Sequence, residues 1–557
     1  MAETLREKLE CRRAQMKNER SSFLPHWAEI TSFISPRTAR YLTTVTSKGA
    51  KSYGSIINNT ATVSQRTFKS GMMAGASSPA RPWFKLSVGE QFMKSAAVKA
   101  WLFEVESAMR EVFTKSNFYN SLPMVYGALG SYGTGAQLIE EDDEETIRCY
   151  PYPVGSYMIA LNEKGKVDTW CREFPMTVRN LVRKFGIDNV STTVKNLYDT
   201  NKYEATVEVV HFIEPNADRD VTKLNSKDKK FRSVYYELGS NENNKMLRES
   251  GYDEFPLQVP RWDVEAEDVY GYSCGMQALG DVKQLQLEEK RKAELIDKAA
   301  RPPMLADSTL RTTGTSMVPG GVTYIDNLAA QQHAGFRPAY EVNHGGIQYV
   351  GQDIKEIEYR IKRAYYEDLM LMFANSDNPN VTAREVDERH QEKLLILGPF
   401  LERMNGELYD PSIDRTYNIM MRMGKIPRPP KELEGQAIKV EYTSIMAQAQ
   451  KLIGTNSVER VVGFVGNLLS LGFTDAADKL NVDNTIDGYA NMHGTPPNML
   501  RSEDEVMGIR EQKAKQMQMQ KMAEMAQPAA QAATAAKTLS DTPVGETNAL
   551  ARMLGGQ

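Results

Sequence analysis

Six consecutive acidic residues, Glu140 to Glu145, form the densest group of titratable side chains in this 557-residue chain. Convergent carboxylates can hold the metal ions of a two-metal hydrolytic site. These acids, however, lie between the glycine-rich YGALGSYGTGAQLI and the strand-like TIRCYPYPVGSY. Side chains of an extended segment point in alternating directions, so adjacent acids do not converge on one ion. The pattern therefore predicts a solvated hairpin turn and no metal site.

A glycine cluster just before the acids has the spacing G-x-x-G-x-G, formed by Gly127, Gly130, Gly133 and Gly135. A phosphate-binding loop also needs a lysine followed by serine or threonine, and no G-x-x-x-x-G-K-[ST] occurs in the chain. We interpret these glycines as sites of close packing or tight turns in a sheet. We also predict no serine nucleophile of the G-x-S-x-G type.

Histidine and cysteine are scattered along the chain. Neither H-E-x-x-H nor C-x-x-C occurs, and the two nearest cysteines are 22 positions apart. His211 lies in an apolar strand pattern, where we expect a satisfied core or edge residue. We predict no catalytic residue, no metal and no cofactor, and cysteines that remain reduced and buried. The residues concerned are His26, His211, His333, His344, His390, His493, Cys11, Cys149, Cys171 and Cys274.

The composition is that of a globular protein with several domains, and 68 basic against 72 acidic side chains leave a net charge of −4. Proteins that hold DNA tightly usually carry a basic excess, so we expect only loose contact with DNA. The start MAETLREKLECRR lacks the apolar core of a signal peptide. The longest uncharged apolar stretch, 461–473, is too short to span a bilayer. We expect a soluble, internally made protein that does not bind membranes.

Periodicity predicts a mixed α+β body in the first half of the chain. We expect helices over 1–35, ending at Pro36, and over 52–73. Alternating apolar residues predict strands at 84–88, 206–213 and 231–238.

Long charged helices dominate the second half. One is predicted over 275–300, with five acids and five bases between Asp281 and Lys298, and another over 348–373. They bracket a compact insertion at 304–345, and a polar loop follows at 374–380. A long helix from Thr382 to Met423 should be interrupted at two prolines, before a strand at 438–443 and further helices to 510. Either solvent or neighbouring copies of the chain could cover the charged helix faces.

A series of motifs in a fixed order resembles the head-to-tail connector, or portal, family of short-tailed bacteriophages. The resemblance covers roughly residues 5–500. Tyr272-Ser273-Cys274 departs from the family, which often has a basic residue and Gly-Pro there. The matching motifs are SGMMAGASSPARPWFKL (70–86), YGALGSYGTGAQLIEED (126–142), FPLQVPRW (255–262), VYGYSCGMQALGDVKQLQ (269–286), RPP (301–303), VTAREVDERHQEKLLILGP (381–399), LYDPSIDRTYNIMMRMGKIPRPPKEL (408–433) and IKVEYTSIMAQAQK (438–451).

The resemblance implies an α+β, predominantly helical portal fold, with a wing, a two-helix stem, a clip insertion and a helical crown, assembled as a cyclic ring. The segments it implies are a wing at 1–270 and 382–443, stem helices at 271–303 and 346–373, a clip at 304–345, a tunnel loop at 374–381, a crown at 444–510 and a Met/Gln/Ala-rich tail at 511–557, partly disordered or a helical barrel.

The resemblance further implies a ring, typically of twelve subunits, at one vertex of the virion capsid, made in the host cytoplasm. Double-stranded DNA would be packaged and ejected through it. Expected partners are the terminase large subunit, the major capsid and scaffolding proteins, and tail adaptor or tail tube proteins. Expected DNA-channel residues are Asn375, Ser376, Asn378 and Asn380 of the tunnel loop, and Lys290, Lys298, Lys355 and Lys362 of the stem, which could equally bridge subunits.

Two other classes of protein remain open from the sequence. One is a different virion structural protein, such as a tail adaptor or an internal core protein. Adaptors are usually much shorter, and the arrangement of helix, insertion and helix argues against one. The other is a DNA-processing enzyme, which would need convergent carboxylates or a phosphate loop.

Overall fold

The structure is a computed structural model. It describes residues 4–38, 55–89, 92, 95–223, 225–240, 245–302, 304–306, 336–338, 344–374, 397–433, 438–443, 461–473, 478–486, 501 and 505–520.

The chain begins with two helices, α1 (Leu5–Ser21) and α2 (Leu24–Phe33), where one helix was predicted. Thr4 and Glu7 form a capping box that starts α1. The prediction of a continuous helix was wrong because the chain turns at 22–23. Pro25, which has no N–H to donate, lies in the first turn of the new helix.

Helix α3 (Thr60–Ala76) begins later than the predicted start at residue 52. Its first turn is held by Asn58, whose Oδ1 accepts the Thr60 N–H at 2.9 Å, and residues 39–54 lie outside the described part. Strand β1 (Phe84–Ser87) follows as predicted, and then helices α4 (Ala96–Lys115) and α5 (Phe118–Tyr132).

Two antiparallel sheets form the middle of the chain. In the smaller one, strand β2 pairs with β3 on one side and β9 on the other, and in the larger one β4 to β8 pair in sequence order. The strands predicted at 206–213 and 231–238 are confirmed as β6 and β7. The bounds are β2 (Ala136–Asp142), β3 (Thr146–Tyr152), β4 (Tyr157–Leu161), β5 (Val167–Thr177), β6 (Thr206–Pro215), β7 (Phe231–Glu237), β8 (Arg248–Tyr252) and β9 (Leu257–Gln258), with helices α6 (Val178–Phe185) and α7 (Thr192–Asp199) between β5 and β6.

The first long charged helix is confirmed as α8 (Cys274–Ala300). The second is α9 (His344–Ala364), which ends earlier than predicted and is followed by a short helix, α10 (Glu367–Ala374). The break occurs because Tyr366 adopts a left-handed backbone with φ of 52°, which no α-helix tolerates. In the insertion between α8 and α9, the described residues form the strand pair β10 (Met304–Ala306) and β11 (Phe336–Pro338).

Helix α11 (Gly398–Met404) runs through a π-helical turn (Asn405–Tyr409) into α12 (Asp410–Arg422). The predicted interruption at Asp410-Pro411 is thus a π turn rather than a break, and Pro411 lies in the first turn of α12. Pro399 likewise opens α11. The start predicted at Thr382 lies outside the described residues.

The strand predicted at 438–443 is confirmed as β12 (Lys439–Tyr442), which pairs antiparallel with β1 across more than 350 positions of sequence. Beyond it, the described residues include helical segments at 461–470, 482–486 and 505–520. Among the helices that the structure describes, none is long and apolar enough to cross a membrane.

One large apolar core joins α2, α3, α4, α5, α8, α9 and α12. Two smaller cores cover the opposite faces of the five-stranded sheet. Helix α1 packs on one face through Leu9 and Met16, and α6 and α7 pack on the other through Leu181 and Val194. The described body is therefore a mixed α+β structure from which the two charged helices emerge.

Candidate functional site

The two long charged helices, α8 and α9, pack against each other along one narrow apolar stripe. Val282 and Leu285 of α8 and Ile357 and Ile361 of α9 are fully buried. Above them Arg360 Nε donates to Asp281 Oδ1 at 3.0 Å, which ties the two helices by charge. Since only one face of each helix is buried, the opposite faces stay in contact with solvent.

A polar clamp formed by Asn58 joins both helices to the body. Its Nδ2 donates to Glu289 Oε1 of α8 at 3.1 Å and to Glu358 Oε1 of α9 at 2.9 Å. Gln286 completes the contact, accepting the Ile57 and Asn58 N–H groups and donating to the Asn58 carbonyl. The clamp therefore fixes the spacing of α8 and α9 where they leave the body.

All four lysines predicted to line a channel lie on the exposed faces of these helices: Lys290 and Lys298 on α8, and Lys355 and Lys362 on α9. Within the described residues none of them forms an ion pair. Lys355 and Lys362 are seven residues apart, so they share one face of α9, two turns from each other. Lys355 also borders a shallow groove of about 420 Å³ on the outer face of α9, together with Tyr359 and Glu356.

The four polar residues predicted to face DNA, Asn375, Ser376, Asn378 and Asn380, lie outside the described residues. The helix that leads to them is described. Its residue Met370 packs directly on Gly71 of α3, where a Cβ atom would come within 2.5 Å of the Met370 Cβ. Ser64 Oγ also donates to Glu367 Oε2 at 2.6 Å, so α10 is fixed to α3 at two points.

The acidic run occupies the end of β2 and the turn of the β2–β3 hairpin, as predicted. Asp142 Oδ1 accepts the N–H groups of Glu144 and Glu145, and these bonds, with the Arg148 guanidinium, lower the pKa of its carboxyl group. Glu141 pairs with Arg422. Asp142 and Glu141 are thus held by arginines and backbone, and among the described residues no group of three or more metal-binding side chains converges.

One G-x-S-x-G pattern does occur, at 271–275, although none was expected. Its serine, Ser273, is the N-cap of α8: Oγ accepts the Met276 N–H at 2.9 Å and donates to the Ser131 carbonyl at 2.7 Å. Ser273 is buried, and both hydrogen bonds of its hydroxyl group go to the backbone. The residue is a helix cap and not a nucleophile.

The glycine cluster is only partly a feature of the sheet, so that interpretation needs correction. Gly127 and Gly130 lie inside helix α5, and Gly133 ends it in a left-handed conformation. Close packing is confirmed: a Cβ on Gly130 would lie 2.7 Å from the Phe68 ring. The helix was missed because glycine and tyrosine both lower helix propensity, and burial in the core outweighs that cost here.

His211 is a buried core residue, as predicted. Its Nε2 lies 2.9 Å from Ser233 Oγ, and its ring stacks on Tyr235. Burial, with nearby Lys184 and Arg172, holds its pKa well below the ordinary value, so the ring stays neutral. Cys149, Cys171 and Cys274 are buried, as predicted, and burial raises the pKa of the Cys149 thiol to about 12. Cys11, on α1, is exposed, so the prediction of burial was wrong there.

The described residues thus combine a mixed α+β body with two paired helices that carry charges on their open faces, and they contain no catalytic or metal-binding constellation. The chain belongs to the family of bacteriophage head to tail connecting proteins, whose model matches residues 6–500. Membership confirms the resemblance inferred from sequence and the head-to-tail connector function. It also confirms that the chain is not an enzyme, because this family is structural.

Two relatives carry the name of portal protein. The portal protein of Salmonella phage epsilon15 is 47% identical over 552 residues, which covers 99% of this chain and 98% of that protein. The probable portal protein of Bordetella phage BPP-1 is 43% identical over 520 residues, covering 93% of each. A chain in the solved virion of a native gene transfer agent (GTA) particle aligns with this chain at 12% sequence identity, covering 83% of this chain and 99% of that chain. The TM-score of 0.36 is too low to define a shared fold.

Proposed function

We propose that this portal assembles as a cyclic ring at one vertex of the phage capsid, and that double-stranded DNA enters and leaves the head through its centre. The observation that carries the proposal is the match to the connector family and to two portal proteins over nearly the whole chain. The exposed, charged outer faces of α8 and α9 support it, because in a ring these faces would meet neighbouring copies or line the bore.

In this proposal the ring has twelve copies. Residues 1–270 and 382–443 form the wing, 271–303 and 346–373 the stem, 304–345 the clip, 374–381 the tunnel loop, 444–510 the crown and 511–557 a tail. The clip would dock the terminase large subunit during packaging and the tail adaptor or tail tube afterwards. The wing and crown would contact the capsid and scaffolding proteins inside the virion.

The bore would hold DNA only weakly. The net charge of −4 and the balanced charges of α8 disfavour firm phosphate contacts, each of which would retard sliding. The short neutral side chains of Asn375, Ser376, Asn378 and Asn380 would touch the duplex without holding it. Lys290, Lys298, Lys355 and Lys362 would supply sparse, mobile charge.

Single Lys→Ala substitutions at the four stem positions test the lysine assignment. A lysine that lines the bore should leave rings intact but reduce the salt dependence of DNA retention in filled heads, because fewer counterions are displaced. A lysine that bridges subunits should instead weaken the rings. Lys115→Ala on the exposed surface of α4 is the matched control and should change neither property. Intact rings with unchanged retention at all four positions would contradict the assignment.

A further inference from the structure

Each of the two long helices carries a second regular stripe of side chains, on the face opposite the one by which the helices pair. Positions that alternate three and four apart stay on one side of a helix, and exposed residues follow this spacing on both α8 and α9. The α8 outer stripe consists of Gly280, Gln284, Leu287, Arg291, Glu294 and Lys298, and the α9 outer stripe consists of Tyr349, Gln352, Glu356, Tyr359 and Arg363.

Within one chain the two outer stripes point away from each other. On α8, Arg291 follows the buried Val282 by nine residues, which is about two and a half helical turns. On α9, Gln352 precedes the buried Ile361 by the same distance. Because a helix with its side chains is about 10 Å wide, the two stripes lie roughly 20 Å apart across the helix pair.

The largest side chains of the outer stripes are exposed to solvent in the single chain. Tyr349 and Tyr359 have 77% and 62% of their surface exposed, and Leu287 has 46%. Tyrosine is enriched at the centre of protein contacts, since its ring buries a large area at little cost in conformational entropy. Tyr359 also borders the groove of about 420 Å³ on the outer face of α9, which offers a recess for a side chain such as leucine.

Cyclic symmetry decides which residues of the two stripes would meet. All copies in a ring stand at the same height, so the alignment of α8 with α9 in one chain also applies between neighbours. Asp281 and Arg360 set that alignment, because they join the two helices by an ion pair. Six residues along α8 from Asp281, Leu287 comes to the level of Gln352 and Glu356 on α9, which line the groove.

Size and charge match along this alignment. Gly280 comes to the level of Tyr359 and Arg363, and within the described part of the chain no atom lies within 4 Å of a Cβ added at Gly280. The two long side chains therefore have room there. Arg291 comes to the level of Tyr349, whose ring a guanidinium group can cover. The stripes place no like charges opposite each other, so α9 of one copy suits α8 of another.

We propose that the α9 outer stripe of one copy packs on the α8 outer stripe of the next copy around the ring. This inference rests on the proposed ring, and it commits these two helix faces to contacts between copies rather than to the bore. Such a contact is head-to-tail, with two different surfaces meeting, which is the kind that closes a ring. Of the four stem lysines, Lys298 belongs to the contact, whereas Lys290, Lys355 and Lys362 lie beside the stripes.

Disulfide trapping tests the contact. In a Cys11→Ser background, which removes the exposed native thiol, Leu287→Cys is combined with Gln352→Cys, Glu356→Cys or Tyr359→Cys. These three positions lie about one turn apart, so together they allow for about 10 Å of tilt or shift along the helix. Since the stripes are roughly 20 Å apart in one chain, the disulfide can form only between copies. Mild oxidation of assembled protein should give a ladder of covalent oligomers with at least one pair.

Two controls accompany the trapping experiment. Each single-cysteine variant should give no ladder, because a head-to-tail contact brings α8 to α9 and never a stripe to itself. Leu287→Cys combined with Lys115→Cys, on the exposed surface of α4, is the matched negative control and should also give none.

Truncation of the large side chains tests the energetics. Leu287→Ser and Tyr359→Ser should each raise the concentration at half-assembly about tenfold, because the burial of these side chains is lost. Tyr359→Phe keeps the ring and should assemble nearly as well as wild type. Phe103→Ser on α4 removes an aromatic side chain of similar exposure, 53%, and should leave assembly unchanged.

The outcomes separate this contact from the ring itself. Normal rings, with no ladder from any of the three pairs and no effect of Leu287→Ser or Tyr359→Ser, would overturn the contact and leave the ring standing. Normal assembly of these variants with weakened DNA retention would show that the outer stripes face the bore, and would also overturn it. A wild-type chain that stays monomeric at every concentration would contradict both the ring and the contact.

Discussion

At the residue scale, the sharpest constraints come from glycines and buried carboxyl groups rather than from reactive side chains. Gly133 ends helix α5 with a φ of 78°, and a Cβ atom there would lie 2.0 Å from the Gly271 carbonyl oxygen. The approach of these two backbones joins the end of α5 to the segment that starts α8. Glycine at position 133 is therefore needed for this close contact between the two backbone segments.

Gly133→Ala should lower the free energy of unfolding by about 3 kcal/mol or more, because both the left-handed backbone and the crowding oppose a methyl group. Gly165→Ala is the matched control: its φ is 71°, but no atom lies within 4 Å of the added Cβ. It should cost only about 1 kcal/mol. Urea unfolding followed by tryptophan fluorescence measures both variants. Equal losses would show that the approach to Gly271 is not limiting.

The buried carboxyl group of Glu106 should make the free energy of unfolding depend on pH. It is buried on α4 and accepts the Leu86 N–H at 2.7 Å, and burial raises the pKa of its carboxyl group above the ordinary value of 4.5. Between that value and its raised pKa the folded chain binds more protons than the unfolded chain. The stability contributed by this group is therefore lost as pH rises through the window.

Glu106→Gln removes this ionisation. Its unfolding free energy, measured relative to wild type, should improve as the pH of the urea titration rises above 4.5 and should level off once the pH exceeds the raised pKa of Glu106. Glu104→Gln, on an exposed position of the same helix, should give a constant difference. A difference for Glu106→Gln that does not change with pH would contradict the role assigned to burial.

The chemistry of single residues was largely predictable. The acidic hairpin turn at 140–145, the core position of His211 and the burial of three of the four cysteines follow from alternation, apolar neighbours and spacing. Ser273 was missed although its G-x-S-x-G pattern stands in the sequence, and only its surroundings show that it is a helix cap. Asn58 was also missed, since its two carboxylate partners are more than 200 positions away.

At the element scale, the long periodic helices and the alternating strands were predicted well, and the breaks were not. The stop after α9 occurs at Tyr365 and Tyr366, which carry no proline or glycine signal. Tertiary packing sets it: Tyr365 is fully buried in the core, and Tyr366 takes the left-handed turn that allows this. The pairing of β1 with β12 could not be predicted from the sequence either, because no local pattern links positions 84 and 442.

Substitutions of Asn58 test whether its hydrogen bonds hold α8 and α9 to the body. Asn58→Asp keeps the oxygen that caps α3 but places a third carboxylate against Glu289 and Glu358. Asn58→Ala removes both the cap and the bonds without adding charge. We expect Asn58→Ala to cost about 1–2 kcal/mol and Asn58→Asp to cost more at neutral pH.

Hydrogen exchange of the α8 and α9 amides near residues 286 and 358 measures this effect. Asn58→Asp should regain protection as the pH falls and the carboxylates become protonated, whereas Asn58→Ala should not. If Asn58→Asp is as protected as wild type at neutral pH, the clamp does not hold the two helices together.

At the scale of the whole molecule, a mixed α+β body, two charged helices with open faces and a weakly acidic net charge suit one subunit of the DNA-conducting ring that we propose. The family was predictable from ordered motifs spread over the chain.

The most direct test is the native mass of the purified chain, taken with particle images of the same sample. We expect a closed ring with a central hole and a mass near that of twelve 62.6-kDa chains, about 751 kDa. A monomer or dimer that persists at high concentration, with no rings in the images even when scaffolding protein is added, would contradict it.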